Sequence, residues 1–149
     1  MWLVYAFLSA VTAALVAIFA KLGLKEVDTI LATTLRAVIM GAFFILVSLG
    51  LGKFAGFGAS TILLKDWFLI LLSALAGALS WLFFYQALSV GPTVAVTVID
   101  KLSVVFTAVL AIIVLAEGIT FQAGIGLILV FLGTLLVSVP WEKIQKLFS

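Results

Sequence analysis

The chain has 149 residues, of which 66% are hydrophobic and 9% charged, with a net charge of +2 and a mean hydropathy of +1.48. A soluble domain carries about 25% charged residues, so this composition excludes a water-covered globule. The small charge, without a basic stripe, excludes nucleic acid as a partner. The absence of cysteine and histidine removes disulfides, thiolate nucleophiles and the usual zinc sites.

A membrane-spanning helix needs about 20 mostly apolar residues, and the sequence supplies five such runs in one domain over 1–149. The first is 2–20, closed by Lys21, Lys25, Glu26 and Asp28. Its apolar character begins at Trp2 with no basic residue before it, which reads as a retained membrane helix and not as a signal peptide. The second run, 29–51, is interrupted only by Arg36. A glycine-bearing loop with Lys53 leads to Lys65 and Asp66, and the third run is 67–90. Gly91-Pro92 is a turn signal, with Pro92 suited to a helix start. The fourth run, 93–116, carries Asp100 and Lys101 and ends at Glu117-Gly118. The fifth is 121–139, stopped by Pro140, and the tail 141–149 has the pattern of a short interfacial helix anchored by Trp141. The fold class is therefore all-α and integral to a lipid bilayer.

Five spans put the two ends on opposite sides. Lys53 and Lys65 lie with the N-terminus, and Lys21, Lys25, Lys143 and Lys146 lie on the other side. The positive-inside rule favours the latter in the cytoplasm, with a bias small enough to admit dual insertion. Ala6, Ala10, Ala13 and Ala17 form a small-residue seam on the first helix, a packing signal.

Charges within a span are costly and mark function or pairing. Arg36 and Asp100 are each the eighth residue of a helix entering from the same side, roughly 10–12 Å deep at the helical rise. Equal depth admits an Arg–carboxylate pair, which is either structural or part of a site. On a straight helix Lys101 projects about 100° away from Asp100 and points elsewhere. Thr97, Asp100 and Ser103 share a face of the fourth helix, while Trp81 and Tyr85 share one on the third, with Gln86 beside them. Aromatic walls with a few polar groups are what small-molecule sites are made from. The candidate substrate-binding residues are thus Arg36, Trp81, Tyr85, Gln86, Thr97, Asp100, Lys101 and Ser103. The plainer alternative for the threonines is hydrogen bonding to carbonyls of the preceding turn. No nucleophile–base pair, phosphate loop or metal cluster emerges, so no enzyme activity, cofactor or metal is expected.

Tyr85-Gln86-Ala87-Leu88 before Gly91-Pro92, the run from Val114-Leu115-Ala116-Glu117-Gly118 to Gln122, Gly124, Gly126 and Gly133, and Arg36 in the second helix together resemble the EamA-type domain of the drug/metabolite transporter superfamily. The resemblance covers essentially the whole chain. It implies a secondary transporter, an exporter or exchanger of a small metabolite, in the cell membrane. Relatives usually hold two such repeats in inverted orientation. The single repeat here implies half of an inverted-repeat fold, completed by a homodimer that is antiparallel if dual insertion occurs. The family's proline near the position of Val104 is missing, so no proline kink is expected, and the roles of Asp100 and Lys101 rest on physical argument alone. Small multidrug resistance relatives use a first-helix glutamate for cations; here that helix offers only Ser9 and Thr12, and the set Arg36, Asp100, Lys101 sums to +1. A carboxylate-bearing or zwitterionic metabolite fits better than a lipophilic cation. The alternatives are a non-transporting membrane scaffold or accessory subunit, in which a buried pair serves folding, and a passive channel.

Overall fold

The computed structural model describes residues 1–55, 57–58 and 62–138. The expected stop at Pro140 and the interfacial tail over 141–149 lie outside these residues. The described elements are α1 (Trp2–Gly23), α2 (Thr29–Gly50), α3 (Leu64–Val90), α4 (Thr93–Asp100), α5 (Leu102–Leu115) and α6 (Phe121–Ser138), and no strand occurs among the described residues. Five helical spans are long and apolar enough to cross a bilayer, with α4 and α5 forming the fourth as Thr93–Leu115. The chain is all-helical with five candidate spans, as the hydropathy requires.

The helix ends have local causes. Asp28 caps α2: its Oδ1 accepts from the backbone N–H groups of Ile30 and Leu31, each at 3.0 Å, filling two donors that the first turn leaves orphaned. After α2, Gly52 takes φ +64°, a conformation without steric cost only for glycine, and the N–H of Lys53 closes back onto Ser48 O at 2.9 Å. After α5 the same left-handed turn is made by Ala116, at φ 53° and ψ 31°, with the N–H of Glu117 reaching Ala111 O at 3.2 Å. An alanine held there is strained, because its Cβ crowds the following carbonyl.

By internal contacts the chain forms two units, one from Met1 to Val90 and one from Gly91 onward. In the first, α1 and α2 both pack on α3; in the second, α4 and α5 both pack on α6. The buried residues among those described are few: Ala17, Ala20, Tyr85, Leu88 and Thr134. Large apolar side chains such as Phe43, Phe44, Phe68 and Phe106 lie outside, which suits a solvent of acyl chains, where association rests on close packing and polar contacts. On α1 the packed small residues are Ala17 and Ala20, whereas Ala6, Ala10 and Ala13 of the expected seam are exposed.

The fourth span departs from expectation. It breaks at Lys101, although no proline is present. The N–H of Lys101 bonds to Val98 O at 3.1 Å and that of Val104 to Lys101 O at 3.0 Å. Three-residue spacing tightens the backbone there into a 3₁₀-like turn, the kind of interruption that often marks a hinge.

Candidate substrate-binding site

Within the first unit, α3 positions the aromatic residues. Trp81 and Tyr85, four apart, share a face, and their rings meet edge to face with centroids 6.0 Å apart at 69°. Phe84 extends the cluster, 5.7 Å from Trp81 at 83° and 6.3 Å from Tyr85. Arg36 of α2 lies over this cluster. Its Cζ is 3.5 Å from the Trp81 ring centroid and 5.6 Å from that of Tyr85. A guanidinium stacked on an indole is attracted by the ring's negative face and is more weakly hydrated than an ammonium, so it tolerates a dry site. Among the described residues of this unit no carboxylate forms an ion pair with Arg36.

Because α1 and α2 both lean on α3, a groove of about 450 Å³ lies between them. Arg36 is on its wall, Tyr85 is the residue contributed by α3, and Phe19, Leu35, Ile39 and Met40 are among the apolar lining. Between α1 and α3, Lys21 Nζ donates to Leu88 O at 2.6 Å. This carbonyl belongs to the last turn of α3, where carbonyls lack helical partners and the helix dipole is negative. Lys21 therefore caps a neighbouring helix. Sequence reasoning counted it only as a topogenic charge, and the missed signal was its place one turn from the end of α1, at the membrane side where α3 also ends. Phe84 was missed as well, although it is adjacent to Tyr85 in the sequence.

Gln86 is exposed, and neighbouring Ser89 donates to Gln86 O at 2.7 Å, within its own helix. In the second unit, Asp100 and Lys101 are joined: Lys101 Nζ lies 3.3 Å from Asp100 Oδ2, with the side chains 52% (Lys) and 36% (Asp) exposed. The expectation that Lys101 points away from Asp100 is thus corrected. The helix breaks at this residue, so straight-helix projection fails, and the flexible four-carbon stem reaches back. Thr97 Oγ1 is buried without a hydrogen-bond partner. Thr33, Thr34 and Thr134 do bond to carbonyls one turn back, at 2.8 Å each, so Thr97 is an exception. Ser103 is exposed. Of the predicted site residues, then, Arg36, Trp81 and Tyr85 are brought together in one unit, and Asp100 and Lys101 in the other. Among the described residues no group of acidic side chains could hold a metal ion.

Arg36 is thus held against aromatic rings within an apolar span, on the wall of the groove. The EamA-like transporter family matches residues 1–139. The chain belongs to this family. It is also 33% identical, over 138 residues, to an uncharacterised transporter in the cobO 3′ region of Sinorhizobium sp, a match covering 93% of this chain and 96% of the relative. No solved structure matches. As an EamA-like protein with five apolar spans, the chain is a multi-pass membrane transporter, and both findings point away from an enzyme.

Proposed function

We propose that this EamA-like chain is a half-size secondary transporter that exports or exchanges a small carboxylate-bearing metabolite across the cell membrane. In this reading two copies pair, antiparallel if dual insertion occurs, to supply the inverted repeats used in alternating access. The similar transporter of Sinorhizobium sp, matched over 96% of its own length, has the same single-repeat extent, which supports the pairing. The observation that carries the substrate assignment is Arg36, stacked 3.5 Å over Trp81 on the wall of the groove, with no carboxylate partner among the described residues of its unit. Its planar donors fit a carboxylate bidentately while the indole holds the other face. Tyr85 offers a hydroxyl at the same wall. Asp100, paired with Lys101 at the break in the fourth span, is the proposed proton-coupling group.

The test is reconstitution into vesicles. Carboxylates should raise the thermal stability of the purified protein, since a ligand for the folded state stabilises it, and should exchange across the vesicle in a saturable manner. Asp100→Asn should abolish the pH dependence of uptake, and unchanged pH dependence would remove the coupling role. Flux without saturation would identify a passive channel. No thermal shift across a broad carboxylate screen, together with co-purification of a different membrane protein, would identify a scaffold.

A further inference from the structure

The groove between α1 and α2 is chemically lopsided. Arg36 and Tyr85 supply its polar side-chain atoms; Phe19, Leu35, Ile39 and Met40 typify the rest. Among the described residues, no aspartate or glutamate lines it. A zwitterion seated there would find a guanidinium for its carboxylate and nothing for its ammonium, which would lie desolvated beside a like charge. A volume of about 450 Å³ lies within the range of small-molecule sites, and most of it borders hydrocarbon side chains.

We propose that the groove takes an amphipathic monoanion: one anionic head on Arg36 and a single apolar tail along Phe19, Leu35, Ile39 and Met40. The inference rests on Arg36 as the anion-binding residue and narrows the substrate class from carboxylates in general to those with an apolar body and no ammonium. The charge of the groove selects the head, and its lining selects the tail. A phospholipid shares the same head-and-tail chemistry, but carries two tails and stays in the bilayer. The occupant argued for here is the single-tailed, exchangeable one.

Trp81 beneath Arg36 gives a direct probe. With Trp2, Trp67 and Trp141 replaced by phenylalanine, the remaining indole reports on the site in discs of neutral phosphatidylcholine. Octanoate should change its emission saturably, and affinity should rise about threefold to fourfold for each methylene between butanoate and octanoate, from the transfer energy of a buried CH₂. Octylammonium should give no response, and 2-aminooctanoate should bind at least tenfold more weakly than octanoate. Arg36→Gln should remove the saturable response, which separates site binding from partition into the disc, and Arg36→Lys should retain part of it. Phe19→Ala, which removes bulk and adds none, should weaken octanoate severalfold and leave butanoate unchanged. Equal affinity for butanoate and octanoate, with the Arg36 dependence intact, would overturn the amphipathic substrate but leave Arg36 as an anion site. A response indifferent to Arg36→Gln would overturn both. Loss of the octanoate response when phosphatidylglycerol is added to the disc would assign the groove to a lipid headgroup and overturn the proposal.

Discussion

The two units accommodate charge within apolar spans by different means. In the first, Arg36 is held by a neighbouring helix: Trp81 and Tyr85 of α3 provide the faces on which a residue of α2 rests. In the second, Asp100 is partnered by the next residue in sequence, at a place where the helix is interrupted. The first solution depends on tertiary packing and leaves the guanidinium's donors available. The second is local, half-exposed and self-neutralising. The contrast teaches that rings hold a cation without cancelling its charge, which is what the proposed anion site requires of Arg36. A charge answered by an opposite neighbour is occupied already and becomes available only when the pair is broken.

Substitutions can break or sharpen this contrast. The largest stability effect should come from Leu88→Ala, because Leu88 is fully buried in the last turn of α3, the helix on which the first unit's packing depends. A loss of about 2–5 kcal/mol is expected for such a truncation, read as reduced resistance to unfolding in mixed detergent. Lys21→Met should cost about 1–3 kcal/mol in the same assay, since it removes a charged donor from an orphan carbonyl. Arg36→Ala should cost about 1–2 kcal/mol of stability through the lost cation–π contact, with a far larger loss of carboxylate exchange. A stability loss without a transport loss would make the Arg36 cluster purely structural.

Smaller effects are expected beyond Gly91. Ala116→Gly should stabilise by about 1 kcal/mol, because glycine adopts the left-handed turn without the Cβ clash. A decrease in melting temperature would show that the alanine methyl makes a contact worth more than the strain. Asp100→Ala should shift stability by less than about 1 kcal/mol, as for other half-exposed ion pairs. A cost approaching that of Arg36→Ala would erase the proposed difference between the two units.

Much of the fold was legible in composition and hydropathy. Each expected run became a span, because in a bilayer a backbone must satisfy its own hydrogen bonds and helices do so segment by segment. The shared face of Trp81 and Tyr85 was legible too, since spacing by four fixes it on any helix. The break at Lys101 was not: no proline or glycine announces it, and the sequence pattern reads as one continuous helix. Nor was the bond from Lys21 to Leu88, which joins residues 67 apart. The alanine seam on α1 was only partly informative. Spacing showed which alanines share a face, but the packing partner decided that Ala17 and Ala20 would be the ones covered.

The sequence by itself determined that the chain is helical, crosses lipid, and commits Arg36, Asp100 and Lys101 to its apolar runs. These properties follow from residue-by-residue transfer energies and from backbone hydrogen bonding, both of which are local. Tertiary structure alone decided the partners of the two charges that reach across helices: indole and phenol rings for Arg36 and a helix terminus for Lys21, whereas Asp100 found its partner locally in the next residue. Long side chains reach several ångströms in many directions, and only the placement of neighbouring helices selects among the contacts they could make.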